Sequence, residues 1–334
     1  MKITVLLGGT SSERDVSLAS GIRIVQALRT KGHDVTSIDP ANGPLSSADE
    51  QALISRTVVQ TEPPGREDLE RMTRESLPRM VSSLTEAARA DVVFLGLHGG
   101  AGEDGTIQSL LDVLGARYTG SGHLASAIAL DKQISKHLFR ESGVQTANWL
   151  MAPVTVEQVT RTLGFPVIVK PSKQGSTVGL SLVKKPNELD RAIAEAFDWD
   201  DEVMIEQFIP GREITVAVVD GDALPVGEII PKKELYDYEC KYTAGMATEV
   251  FPAQLSDAEA AHVQEQARLA FKALKLRGCA RIDFRMAPDG GFYCLEANTL
   301  PGMTNTSLVP QAAAAAGIDF AELCERIAQA AIRK

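Results

Sequence analysis

The 334-residue chain contains few cysteines and no hydrophobic run longer than a strand. Its four cysteines include no CxxC pair, so they show no metal-type spacing, and a chain of this length does not need disulfides to fold. The apolar runs are too short for a transmembrane helix, and the N-terminal run is too short for a signal peptide. We therefore expect a soluble, cytoplasmic protein that does not contact membranes.

Positive charge is also scarce in this sequence. Lys and Arg total 34 against 44 Asp and Glu, which gives a net charge of −10. Such a surface repels nucleic acid over most of its area, so we expect no nucleic-acid partner and only a local phosphate site. The 44% hydrophobic and 23% charged residues are ordinary for a globular protein, and the length allows two or three domains.

The first 122 residues alternate between strand-like and helix-like segments. Apolar strands end in glycine-bearing loops at residues 8–12 and 98–105, which predicts a parallel, Rossmann-like α/β domain with its ligand side at the carboxyl ends of the strands. Residues 42–80 are polar and are interpreted as a solvated insertion. The predicted elements are strands at 3–7, 33–39 and 92–97 and a helix at 16–31.

Residues 123–210 and 211–334 are predicted to form two smaller α+β units. A strand at 165–170 opens a Gly/Ser loop at 171–179 and returns at 180–183 as a hairpin with a flexible tip. Residues 232–252 have no clear period and are interpreted as a lid loop. The other predictions are helices at 126–142, 188–197, 257–274 and 319–332, a strand at 202–208, and hairpins at 214–230 and 281–298.

The last of these hairpins, RIDFRMAPDGGFYCLEAN, carries two acids and an amide. If it closes symmetrically about Asp289-Gly290, Asp283 lies opposite Glu296, and residues 281 and 298 form another pair on the same face. Two opposed carboxylates repel unless a cation lies between them, and oxygen ligands suit a hard ion such as Mg²⁺. The alternative is a solvated face on which Arg281 and Arg285 neutralise the acids.

Two further stretches suggest a nucleotide site. Lys170 ends a strand beside small residues whose backbone N–H groups can approach phosphate, although the Walker pattern is absent. Glu206 could accept from an adenine amine, and Glu213 could hold ribose hydroxyls. The alternatives are a hairpin turn with a solvent-facing lysine and a connection with surface acids. The segment LGGTSS, from residue 7, does not satisfy GxGxxG, which argues against a dinucleotide oxidoreductase.

In this order, the strand lysine, glycine flap, acidic linker and final hairpin resemble the ATP-grasp superfamily. Four longer stretches resemble the D-alanine–D-alanine ligase family more narrowly: HGGAGEDG from His98, KPS with GSTVG from Lys170, YDYECKY from Tyr236 and LEANTLPGM from Leu295. The resemblance covers nearly the whole chain except the insertion. It implies an ATP-grasp fold and an enzyme that joins two D-alanines through a D-alanyl phosphate for peptidoglycan precursor synthesis.

The resemblance also implies roles for residues around ATP. Two Mg²⁺ ions, which Mn²⁺ can replace, would be held by Asp283, Glu296 and Asn298 and would bridge the phosphates. Lys132 and Lys170 would hold the α- and β-phosphates, while Glu206 and Glu213 would take adenine and ribose. The remaining ATP-site residues implied are Ser176, Gln207, Phe208, Ile209 and Lys241.

For the amino acids, the resemblance assigns Glu13 to the ammonium of the first D-alanine, with His98 nearby. Ser176 would link the flap to Glu13 and Tyr242. The alternatives are that Glu13 only matches a helix dipole and that His98 is structural. The oxyanion of the second step would be stabilised by Arg281 and the Gly302 N–H, and the second carboxylate would be held by Ser307 and Leu308.

The sequence leaves three hypotheses about the function of the whole chain. The pair Lys241-Tyr242 favours the dipeptide product, because relatives that use D-lactate tend to lack the tyrosine. An ATP-grasp ligase with D-lactate or D-serine as acceptor is the first alternative. A non-catalytic nucleotide-binding regulator is the second, although Arg281 and the acids that catalysis needs are present. The resemblance implies a homodimer.

Overall fold

The computed structural model describes residues 1–55, 66–232 and 245–333. It contains three sheets, and the strands of the first sheet come from the N-terminal part of the chain. These strands are β1 (Lys2–Leu6), β2 (Asp34–Asp39), β3 (Gly43–Pro44) and β4 (Val92–Leu95). Their order is β3-β2-β1-β4, and β1 pairs in parallel with β2 and β4. Helix α1 (Arg14–Thr30) connects β1 to β2. The predicted parallel arrangement is confirmed for β1, β2 and β4, while the short β3 pairs antiparallel with β2. The loops after β1 and β4 therefore leave the same sheet edge.

The predicted insertion contains helix α2 (Ser47–Ser55) and most of helix α3 (Arg66–Ala87), while residues 56–65 lie outside the described residues. Most α3 side chains are exposed, as predicted for a solvated segment. Helix α2 differs, because Glu50 is buried and accepts hydrogen bonds from Arg29 at 2.7 and 3.0 Å and from Ser37 Oγ at 2.6 Å. The interpretation as a purely solvated segment is therefore wrong for α2, which is anchored to the first sheet's layer.

One predicted helix, 126–142, is in fact two helices. After α4 (Thr106–Val113), the chain forms α5 (His123–Leu130) and α6 (Lys132–Glu141). Asp131 adopts an extended conformation between them, and its carboxylate accepts from the Ile134 N–H at 2.9 Å, which caps α6. The break turns the Lys132 N–H towards the Ser172 carbonyl at 3.1 Å. It therefore joins α6 to the strand that leads into the flap.

The second sheet is antiparallel and contains the predicted flap hairpin. Its strands are β5 (Trp149–Met151), β6 (Val167–Pro171), β7 (Ser181–Val183) and β8 (Val203–Gln207), in the order β5-β8-β6-β7. Helices α7 (Val156–Thr162) and α8 (Leu189–Phe197) accompany it. Val167, Val169, Val203 and Ile205 are fully buried at alternate positions, which fixes the inward face of the sheet. The hairpin and the strand predicted at 202–208 are confirmed.

The third sheet carries the acidic hairpin. It contains β9 (Arg212–Val219), β10 (Asp222–Ala223), β11 (Gly227–Pro231), β12 (Ala247–Val250), β13 (Cys279–Met286) and β14 (Phe292–Asn298), and α9 (Asp257–Ala273) packs on it. The main path is β12-β11-β9-β13-β14. The lid prediction is wrong at its C-terminal end, because β12 pairs with β11. Residues 233–244, with the rest of that prediction, lie outside the described residues.

The end of the chain returns to the first sheet. Helix α10 (Leu308–Ala315), which was not predicted, and α11 (Phe320–Ala330) share one core with α1. Arg23 lies 4.0 Å from the ring centroid of Phe320 and donates to the Met303 carbonyl at 2.5 Å. Helices α5 and α6 share their core with the third sheet. The division at residues 122 and 210 stays a prediction, since packing crosses both boundaries.

Across the residues that the structure describes, every helix is too short or too polar to span a bilayer.

Candidate functional site

The acidic hairpin has the predicted register where the site residues lie. Asp283 is opposite Glu296, and Arg281 is opposite Asn298. Nearer the turn the register shifts by one, so that Phe284 pairs with Cys294, and the predicted symmetric closure is wrong for those pairs. The shift marks a β-bulge, which lets Phe284 and Cys294 stay fully buried while both acids face the opposite side.

Each acid of the hairpin has a cationic neighbour. The Arg281 guanidinium donates to the Asp283 carboxylate from Nε at 2.9 Å and from Nη2 at 2.8 Å, and Thr215 Oγ1 donates at 2.7 Å. Lys132 Nζ lies 3.2 Å from Glu296 Oε2. Arg285 instead pairs with Glu213, at 3.4 Å. The alternative of arginine neutralisation is thus observed for Asp283.

The hairpin offers only a few side chains that could bind a metal ion. In the described part of the chain, no group of three or more His, Cys, Asp or Glu side chains could hold a metal ion. Asp283, Glu296 and the amide of Asn298 supply oxygen donors on one face, and these fit a hard cation whose shell is completed by phosphate and water. The Asn298 side-chain oxygen already accepts from the Leu300 N–H at 3.0 Å.

A cleft of about 130 Å³ lies between the second and third sheets. It is lined by most residues predicted to bind ATP or its metal ions: Lys132, Lys170, Glu206, Gln207, Phe208, Ile209, Glu213, Asp283 and Glu296. These residues come from α6, β6, β8 and the loop after it, β9 and the acidic hairpin, so only the tertiary fold brings them together. Lys241 lies outside the described residues.

Behind the lining of this cleft lies a fully buried lysine, Lys136, that the sequence did not single out. Glu206 accepts from Lys170 Nζ at 2.7 Å and, on its other carboxylate oxygen, from the fully buried Lys136. Burial alone would raise the pKa of Glu206, but the two lysines outweigh it and lower that pKa to about 2. The available signal was spacing, because Lys136 follows Lys132 by one helical turn.

A larger cavity of about 650 Å³ adjoins the cleft and shares Lys132, Arg281, Glu296 and Leu308 with it. The predicted amino-acid residues line it: Glu13, His98, Ser176, Arg281, Gly302, Ser307 and Leu308. Asn298 also lines this cavity. Leu53 and Ile54 of α2 form part of its wall, so the insertion borders the cavity that the predicted amino-acid residues line.

Glu13 joins α1 to the flap. It is the first residue before α1, yet its side chain does not cap the helix and accepts from Ser176 Oγ at 2.5 Å. Ser176 and Thr177 have positive φ angles, 52° and 61°, which are unusual for residues with a Cβ. The predicted link between flap and Glu13 is therefore present. Its third member, Tyr242, lies outside the described residues.

His98 is both a cavity residue and a structural one. Its Nδ1 lies 2.8 Å from the Leu300 carbonyl and its Nε2 lies 3.0 Å from Ser20 Oγ. Burial is the main cause that lowers its pKa, so the neutral ring donates from Nδ1 and accepts the Ser20 hydroxyl at Nε2. Ser20 Oγ in turn accepts from the Met303 N–H at 3.1 Å. His98 thus fixes the loop that presents Gly302.

That loop leads directly into α10. Ser307 precedes the helix, and its Oγ accepts from the Thr304 N–H at 2.9 Å. A Cβ at position 302 would lie 2.7 Å from Ser307 Oγ, so the close approach of these residues favours glycine. Gly302, Ser307 and Leu308 consequently form one compact wall of the larger cavity.

The second residue that the sequence did not single out is an acid, Glu103. It lines the larger cavity and is buried. Burial, reinforced by the negative charges of Glu13 and Glu296, raises the pKa of Glu103 to about 8, although a Gly99 hydrogen bond and Arg281 act in the opposite direction. The signal in the sequence was an acid inside the glycine-rich HGGAGEDG loop.

A cleft between two sheets that each carry helices, with a flap on one side and opposed acids on the other, is the arrangement of an ATP-grasp enzyme. Family models described as the D-Ala–D-Ala ligase N-terminus and C-terminus match residues 2–121 and 138–329. The chain belongs to the D-alanine–D-alanine ligase family and is an ATP-dependent ligase. The predicted fold class and enzyme class are confirmed.

Individual relatives agree with this assignment. The chain is 41% identical to the D-alanine–D-alanine ligase of Syntrophotalea carbinolica, covering 100% of this chain and 97% of that protein. A Bacillus anthracis D-alanine–D-alanine ligase solved with ATP matches with a TM-score of 0.77 and 31% identity, covering 100% of this chain and 97% of that one. The VanG D-Ala:D-Ser ligase of Enterococcus faecalis matches with a TM-score of 0.77 and 26% identity, covering 99% of each chain.

Proposed function

We propose that this protein joins two D-alanines into a dipeptide, with each step carried by residues of the two adjoining cavities. The observation that carries the proposal is the shared wall of Lys132, Arg281 and Glu296, which faces both the nucleotide cleft and the amino-acid cavity. A carboxylate in the larger cavity can therefore meet the γ-phosphate of ATP in the cleft. This geometry suits transfer between two bound substrates.

In the first step, a carboxylate oxygen of one D-alanine attacks the γ-phosphorus, and ADP leaves. Lys132 and Lys170 neutralise phosphate charge. Asp283, Glu296 and Asn298 would hold two Mg²⁺ ions, which supply further neutralisation and which Mn²⁺ can replace. Their oxygen donors on one face of the hairpin support this assignment. Gln207, Phe208 and Ile209 would bound the adenine, with Glu213 at the ribose.

In the second step, the amine of another D-alanine attacks the acyl carbon of the D-alanyl phosphate, phosphate leaves and the amine loses a proton. Glu13 would hold the first ammonium, and Ser176 would keep the flap over it. Arg281 and the Gly302 N–H would stabilise the oxyanion, while Ser307 and Leu308 would hold the second carboxylate. All six of these residues line the larger cavity. Tyr242, at which the flap link would end, lies outside the described residues.

The identity of the second substrate, the acceptor, is a separate part of the proposal. The relative that uses D-serine shows that this fold accommodates another acceptor, so D-serine or D-lactate remains the second candidate. The sequence pair Lys241-Tyr242 favours an amine acceptor over D-lactate. We further propose a cytoplasmic homodimer without nucleic-acid or membrane partners. The net charge of −10 supports the absence of nucleic-acid and anionic-membrane partners.

The test is phosphate release from Mg-ATP with D-alanine, L-alanine, or D-alanine plus D-serine or D-lactate, followed by mass measurement of the product. We expect release that requires D-alanine and yields D-alanyl-D-alanine from the mixtures. If D-alanyl-D-serine or D-alanyl-D-lactate is the main product, the assignment of D-alanine as the acceptor is wrong. ATP binding without D-alanine-dependent release would contradict the catalytic proposal and favour the regulator.

A further inference from the structure

Lys136 occupies a position that no step above uses. Its side chain is fully buried, it lines neither cavity, and its Nζ donates to Glu206 and, at 2.5 Å, to Thr146 Oγ1. Thr146 donates its own proton to the Cys294 carbonyl at 2.7 Å, so it can only accept from Lys136. The lysine therefore connects β8 to the acidic hairpin through a chain of directed hydrogen bonds.

The cluster has an unequal charge. Two lysines, Lys136 and Lys170, share the single carboxylate of Glu206, one on each oxygen. Burial lowers the pKa of Lys136, while the negative charge of Glu206 acts in the opposite direction and favours the ammonium form. Of these three residues, Lys170 and Glu206 line the nucleotide cleft and Lys136 does not. With Lys136 behind them, the pair facing the cleft belongs to a cluster of net positive charge. Without it, Lys170 and Glu206 would form a neutral pair.

We propose that Lys136 is a positioning residue for the nucleotide phosphates, because it satisfies Glu206 from behind and leaves the charge of Lys170 available to ATP. A buried carboxylate that lost Lys136 would draw Lys170 more tightly, so Lys170 would contribute less attraction for an anion, while Lys132 would still line the cleft. Adenosine, which carries no phosphate, should be nearly indifferent to this change. The low pKa of Glu206 is consistent with a carboxylate that stays ionised between two cations.

The test compares affinities of ATP, ADP and adenosine for the whole protein by calorimetry at fixed Mg²⁺ concentration. For Lys136→Met we expect ATP and ADP affinities to fall by about tenfold or more, with adenosine changing by less than about threefold. The ratio of ATP to adenosine affinity is the decisive quantity. An equal loss for all three ligands would show a merely structural role and overturn the inference.

The double variant Lys136→Met with Glu206→Gln is the matched control. It removes one cation and one anion, so the net charge of the cluster is that of the wild type, and the ATP-to-adenosine ratio should return to the wild-type value. Replacing both partners also leaves no buried carboxylate that has lost one of its two lysines, so this variant still gives a ratio to compare with the wild type if Lys136→Met does not fold. A ratio that stays low in the double variant would overturn the inference.

The inference rests on the proposed place of ATP in the cleft. That placement has its own test in the same experiment, because the wild-type protein must bind ATP more tightly than adenosine. Failure there would overturn the placement of the phosphates beside Lys170. Tight ATP binding by the wild type together with an unchanged ratio in Lys136→Met would overturn only the role of Lys136.

Discussion

At the scale of single residues, the charged side chains of the site are already paired with one another in the protein. Asp283 is bound by Arg281, Glu296 lies beside Lys132, and Glu206 lies between two lysines. Pairing reduces the cost of holding ionised groups in a partly buried cleft. Substrates and metal would therefore exchange partners with these groups rather than fill a site of bare charges.

Glu103 leads to a prediction about pH. Its pKa is raised from 4.5 to about 8 mainly by burial, so the folded chain holds this proton at pH values where the unfolded chain has released it. The free energy of unfolding should consequently fall as pH rises from about 4.5 through about 8. Glu103→Gln, which stays neutral, should escape this loss.

Chemical denaturation of both proteins at several pH values checks this. We expect the advantage of Glu103→Gln to grow by about 3 kcal/mol between pH ~5.5 and ~8.5. Glu86→Gln, which alters an exposed acid of α3, is the matched control and should follow the wild type. A constant difference between Glu103→Gln and wild type would show that Glu103 does not retain its proton.

At the scale of secondary-structure elements, α2 is the most informative departure from expectation. Glu50 anchors this helix to Arg29 and Ser37, and its next turn places Leu53 and Ile54 in the wall of the amino-acid cavity. Ile54 is 39% exposed, so it lies where the cavity meets solvent. The insertion therefore borders the cavity that contains the predicted amino-acid residues.

We predict that Ile54→Trp raises the KM for D-alanine, because the larger ring narrows this opening, and leaves the KM for ATP unchanged. Steady-state kinetics with each substrate varied in turn provides the measurement. Leu77→Trp, on the exposed side of α3 and outside the cavity wall, is the control. Unaltered kinetics in Ile54→Trp would rule out a role for α2 in substrate access.

At the scale of the whole molecule, one core unites the two ends of the chain. Helix α11 packs against α1, and Leu323 and Ile327 belong to the same buried cluster as Ile24 and Leu28. The loop from Leu300 to Ser307, which carries Gly302, lies between the acidic hairpin and these helices. The terminal helices therefore hold the amino-acid cavity together as well as the first sheet.

We predict that Leu323→Ala lowers the free energy of unfolding by roughly 2–5 kcal/mol, the usual cost of emptying a fully buried leucine site. Denaturation followed by circular dichroism and by tryptophan fluorescence measures it. Arg326→Ala, on the exposed face of the same helix, should change stability by less than about 0.5 kcal/mol. Equal effects of the two substitutions would contradict the packing role of α11.

Local chemistry determined a large part of this protein. Period-two strands around a Pro-Asp-Gly-Gly turn fixed Asp283 opposite Glu296, and the strand after Phe165 led to the flap as expected. These features depend on residues close in sequence, where periodicity and turn type limit the options. The order of such motifs was also sufficient to indicate the family.

Only the tertiary structure decided the rest, because it depends on which distant segments meet. Lys136 and Glu103 acquire their partners and their shifted pKa values from burial among other elements, which spacing along the chain does not reveal. The same holds for the bulge that keeps Phe284 buried, for the anchoring of α2 by Glu50, and for the return of α11 to α1. Sequence thus determined which groups could act, and packing determined their charge and their neighbours.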